Sequence, residues 1–74
     1  MTVRTLTALI QREGDWYVSL CPELDIASQG RTVEEARANL REALEGFFAE
    51  ASGEEIARRT AGEVYVTSVE VAVA

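Results

Sequence analysis

The stretch Cys21-Pro22-Glu23-Leu24-Asp25-Ile26-Ala27-Ser28-Gln29-Gly30-Arg31-Thr32-Val33-Glu34-Glu35-Ala36 (CPELDIASQGRTVEEA) holds the chain's only cysteine and only proline and runs into a helix start. Pro22 lacks an N–H, so it ends a regular ladder or leaves the strand at an edge. Ile26 to Ser28 has room for a brief strand before Gln29-Gly30 turns the chain again. Thr32-Val33-Glu34-Glu35 then has the form of a capping box, in which the Thr32 hydroxyl accepts from the Glu35 amide and the Glu35 carboxylate reaches back. Glu34 and Glu35 also suit the positive end of a helix dipole. Most of the stretch reads as a corner that turns a sheet into a helix.

Upstream of that corner, Val3 to Arg12 reads as a strand with Leu6, Ala8 and Ile10 on one face and Val3, Thr5, Thr7 and Leu9 on the other. Glu13-Gly14-Asp15 is a tight turn with a glycine free to take positive φ. Trp16 to Cys21 returns as the second strand of an antiparallel hairpin. Trp16, Val18 and Leu20 are expected to face the core, and Tyr17, Ser19 and Cys21 to face away.

Downstream, Val33, Ala36, Leu40, Ala43, Leu44, Phe47 and Ala51 recur every three or four residues, which predicts one apolar stripe on a helix reaching about Ala51. Phe48 lies beside that stripe. Arg37 with Glu34, and Arg41 with Glu45, are spaced to pair on the wet face, at about 0.2–0.5 kcal/mol each. Ser52-Gly53 is expected to stop the helix, with Glu54 to Arg59 as one more turn or a loop. Glu63 to Ala74 is rich in β-branched residues and reads as a last strand. Its apolar phase shifts between Val64/Val66 and Val69/Val71/Val73, so it either bulges near Ser68 or is covered on both faces. The predicted class is α+β in the order β-β-β-α-β: a three- or four-stranded sheet with one amphipathic helix on one face, a single domain over residues 1–74.

Size bounds what such a domain can do alone. A chain of 74 residues buries only about 60% of the surface its unfolded form exposes, and small domains recruit disulfides, metals or partners to compensate. One cysteine makes no internal disulfide, and no histidine stands beside it as a metal ligand. Self-association is the aid left over, and uncovered strands and sheet faces point the same way. No metal or cofactor is expected.

Seven arginines against thirteen acidic residues give a net charge of −6. The arginines are scattered, which disfavours direct binding to a phosphate backbone and suits a basic protein partner. With no secretory signal, no long apolar run and a lone thiol, the expected compartment is the cytoplasm, away from membranes.

Each candidate for chemistry has a plainer reading beside it. Cys21 lacks a base to form thiolate, and Glu23 nearby raises its pKa, so it reads as a small apolar filler. Glu23 and Asp25 stand two apart and would point the same way in an extended segment. A hydrolytic metal site needs carboxylates gathered from several elements, and nothing in the spacing gathers them. They read better as a loop cap or a polar contact edge together with Leu24. Tyr17 is a candidate partner anchor, since aromatic residues are enriched at interface hot spots.

Taken together, Trp16 to Gly30, Thr32-Val33-Glu34-Glu35-Ala36 and Asn39-Leu40-Arg41-Glu42-Ala43-Leu44 resemble the HicB-like antitoxin family. The pattern is a hairpin, a P-[DE]-L segment, a serine and glycine, then T-x-E-E-A and a helix carrying N-x-x-E-A. It spans about Val3 to Glu50. The resemblance implies a compact domain that neutralises a small basic partner, the HicA toxin, a messenger-RNA-cleaving ribonuclease. Family members often carry a C-terminal DNA-binding domain; here a stand-alone domain without it is expected. On the residues' own chemistry, the expected partner-binding residues are Tyr17, Glu23, Leu24 and Asp25, with Thr32 and Glu35 as a structural cap and no catalytic residue. The alternatives are an orphan structural or small-ligand-binding oligomer, and a degenerate metal-dependent nuclease of ribonuclease-H type.

Overall fold

The computed structural model describes residues 3–74. Strand β1 (Leu9–Glu13) pairs antiparallel with β2 (Trp16–Cys21), which pairs antiparallel with β3 (Ile26–Gly30), so β2 is central in a three-stranded sheet. Helix α1 (Val33–Glu50) lies across one face and a short helix α2 (Gly53–Arg59) follows it. The first strand is shorter than its sequence suggests: residues 3–8 belong to no strand. The hairpin turn is Gly14-Asp15, with Gly14 at φ 62, which favours glycine at the first central position of a two-residue loop.

Thr32 caps α1 as its chemistry requires. Its Oγ1 accepts from the Glu35 amide at 3.0 Å, and Glu35 Oε1 accepts from the Arg31 amide at 3.1 Å, one residue before the cap. The stripe buries Ala36 and Leu40 fully and Ala43, Leu44, Phe47 and Ala51 in part; Val33 stays exposed. Arg41 meets Glu45 at 3.6 Å. Among the described residues Arg37 and Glu34 form no ion pair. Ser52 does more than end α1, since its hydroxyl accepts from the Glu55 amide and starts α2.

The face of β2 that meets α1 is the opposite of the one expected. Ser19 and Cys21 are fully buried under the helix, whereas Trp16 is 38 % exposed and Val18 and Leu20 are only partly covered. Side-chain size explains the choice. Gly30, Ser19 and Ala36 are small enough for α1 to come down onto the sheet, and a β-carbon on Gly30 would stand 2.5 Å from the Ala36 amide nitrogen. Ser19 Oγ donates to the Ala36 carbonyl at 2.8 Å, so the buried hydroxyl is satisfied. Cys21, Leu24 and Leu40 form the centre of the core, with Leu6, Ile26, Leu44, Phe47 and Phe48 packed around it.

The last predicted strand is absent as a strand. Residues 61–74 join no sheet, and the valines from Val66 onward are 65–89 % exposed. A strand needs a neighbour to hydrogen-bond, and this segment pairs with none in the chain. The fold is therefore α+β with a three-stranded sheet, a packed helix and a short second helix.

Candidate functional site

The corner at residues 22–25 is a turn, closed by the Leu24 amide donating to the Cys21 carbonyl at 3.3 Å. An extended segment would have aligned Glu23 with Asp25; the turn removes that alternation. Leu24, expected on a contact edge, instead points inward. It is 1 % exposed and packs in the core with Cys21 and Leu40. Its carbonyl accepts from Arg59 Nη2, and the same guanidinium lies 5.1 Å from the Phe47 ring centroid, so one arginine ties α2 to both the corner and α1. Asp25 is the outermost residue of the turn. It is exposed and takes φ 54, the left-handed region that aspartate tolerates better than most residues.

Glu23 is half-buried and committed to the fold. One carboxylate oxygen, Oε2, accepts from Thr7 Oγ1 at 2.7 Å and from the Thr7 amide at 3.0 Å, pinning the segment before β1 onto the corner. Burial pushes its carboxyl upward, but the hydrogen bonds outweigh burial and hold it below the usual carboxylate range. A depressed folded-state pKa stabilises the fold above the unfolded value of about 4.3 and loses that contribution as pH falls through the folded value. Glu23→Gln keeps the shape and removes the charge. Its deficit in melting temperature relative to the parent is expected at pH 6–7 and should shrink as pH drops below about 4. A deficit equal at pH 3 and pH 7 would contradict the charged role.

Cys21 is free and buried, and desolvation, followed by smaller contributions from Glu23, pushes its thiol up. That is the setting of a structural filler, not of an activated nucleophile. Tyr17 is half-buried on the helix-bearing face, opposite Arg12 on β1 and Gly30 on β3. Among the described residues, no three acidic or cysteine side chains come close enough to hold a metal ion. A shallow, open depression of about 280 Å³ is lined by Arg4, Thr5, Leu6, Glu23 and Thr60, at the small end for a ligand site.

Two surfaces lie away from α1 and the core. The first is the sheet face opposite α1, where the register places Leu9, Leu20 and Ala27 in one row, Gln11, Val18 and Gln29 in the next, and Glu13 beside Trp16. The Arg31 guanidinium stacks on Trp16 at 4.2 Å from the ring centroid. The small residues Ser19, Gly30 and Ala36 were the available signal that α1 takes the other face. The second surface is the C-terminal arm, residues 61–74. No helix among the described residues is long and apolar enough to cross a membrane. No protein-family model, curated protein or solved structure matches the chain.

Proposed function

We propose that the chain is a non-enzymatic, cytoplasmic protein-binding module of the HicB-like antitoxin type, self-associated, which occludes a small basic ribonuclease toxin. The observation that carries this reading is where the linked motif residues fall. Leu24, Gly30, Thr32 and Ala36 are spent on building one rigid corner, and Asp25 is held out from it in a fixed backbone conformation. A rigid corner with an outward carboxylate costs little ordering on binding, and net acidity steers a basic partner. The uncovered apolar sheet face favours a second reading, an oligomer whose role is structural.

Co-expression with a small basic ribonuclease encoded beside this gene separates the two. The expected result is a stoichiometric complex with the ribonuclease silent. Asp25→Asn, which suits the left-handed backbone as aspartate does and removes only the charge, should weaken it by about threefold or more at unchanged melting temperature. Full ribonuclease activity in the presence of excess chain, with no complex, overturns the antitoxin reading and leaves the structural oligomer.

A further inference from the structure

We infer that the arm from Glu63 to Ala74 is an exchange strand, which leaves its own body and pairs along the outer edge of β1 in a second copy of the chain. The inference deepens the proposed self-association and rests on it for the existence of a second copy. It starts from shape. A compact chain of 74 residues has a radius of gyration of about 11 Å, yet this one measures 14.5 Å with a long dimension of 50 Å. The excess fits the arm, which at about 3.3 Å per residue reaches roughly 40 Å when extended.

The arm's composition is that of a strand in need of a neighbour. Tyr65, Thr67, Val69, Val71 and Val73 alternate onto one side, all of them β-branched or aromatic, so a straight strand has one continuous face without any bulge. The other side carries Val64 and Val66, then Ser68, Glu70 and Ala72. Left in water, such a segment is an aggregation hazard that proteins normally pair or cover.

Of the two sheet edges, β1 is the one left open. On β3 the Asn39 side chain already donates to the Gln29 carbonyl at 2.8 Å, and α1 lies over that side of the sheet. On β1, among the described residues, the only backbone partner is β2. A strand laid there sets its side chains beside Leu9, which is 43 % exposed, and extends the apolar row of the open face. In the structure the arm pairs with no strand of its own chain, β1 included.

There is apolar surface to cover: Tyr65, Val66, Val69, Val71 and Val73 are 65–89 % exposed, so two exchanged arms bring ten large apolar side chains to the pairing.

The test uses the full chain. Sedimentation of the parent should give twice 8.1 kDa, and the double variant Val69→Asp/Val71→Asp should weaken self-association by about a hundredfold or more with helical circular dichroism intact. A mixture of Val71→Cys chains with Gln11→Cys chains should form a disulfide between copies under mild oxidation, against a background in which Cys21 is buried. A dimer that persists in the double variant, with no such cross-link, overturns the exchange strand while leaving self-association standing. A parent that sediments as one copy at every concentration overturns both. A Gln11→Cys/Val71→Cys chain that closes on itself at monomer mass shows the arm folding home, and also overturns the exchange.

Discussion

Gly30→Ala lowers the melting temperature by about 12–24 °C, the expectation for a loss of about 3 kcal/mol in a domain of this size. The cause is space, not backbone freedom. The added β-carbon meets the Ala36 amide nitrogen at 2.5 Å, the Glu35 carbonyl carbon at 2.8 Å and the Glu35 β-carbon at 2.9 Å. Two of these are main-chain atoms of the first turn of α1 and cannot swing aside. Ordinary contacts lie near 3.5–4.0 Å, so the helix start must retreat by about 1 Å. Retreat loosens the buried Ser19–Ala36 hydrogen bond, 2.8 Å in the parent. Overpacking costs about 1–3 kcal/mol and a strained buried hydrogen bond about 1–3 more. Total stability for a chain of 74 residues is about 4–11 kcal/mol, so this one methyl group removes a large part of it. A Gly30→Ala chain that melts within 2 °C of the parent would show that α1 does not sit this close to β3.

Leu24→Ala comes next, with an expected loss of about 2–5 kcal/mol by chemical denaturation. Leu24 is 1 % exposed and shares the core with Cys21 and Leu40, so truncation opens a cavity that a turn tethered by Arg59 cannot close. The neighbouring position supplies the contrast. Asp25→Gly touches no core atom, and its relief of the positive φ offsets the extra chain entropy that glycine gives the unfolded state, so stability should stay within about 0.5 kcal/mol of the parent. One residue of separation thus divides the motif into a folding half and a surface half. If Leu24→Ala left denaturation unchanged while abolishing partner capture, Leu24 would be a contact residue after all, and the core described above would be wrong.

What was legible in the sequence was local chemistry. Gly14 at the hairpin, Thr32 at the cap, and the spacing of Ala36, Leu40, Leu44 and Phe47 all act over four residues or fewer and appear where expected, while Glu35 reaches back one residue past the cap, to the Arg31 amide. The facing of β2 was not legible from hydropathy, because Trp16-Tyr17-Val18-Ser19-Leu20-Cys21 offers apolar groups on both sides. The helix went to the side with the smaller residues, Ser19 and Cys21, where close approach gains more than bulk. Leu24 looked like an edge residue because Pro22 suggested an extended exit; the turn that forms instead rotates it inward. The arm's strand character is written in its valines, but its partner is not written in the order of elements along one chain.

Trp16, the sole indole in the chain, lies on the uncovered sheet face with a guanidinium across its ring. Its emission colour is thus a built-in gauge of how wet that face is, shifting toward the blue when any other surface displaces the water there. Titrating the unlabelled protein in a fluorimeter follows that drying directly.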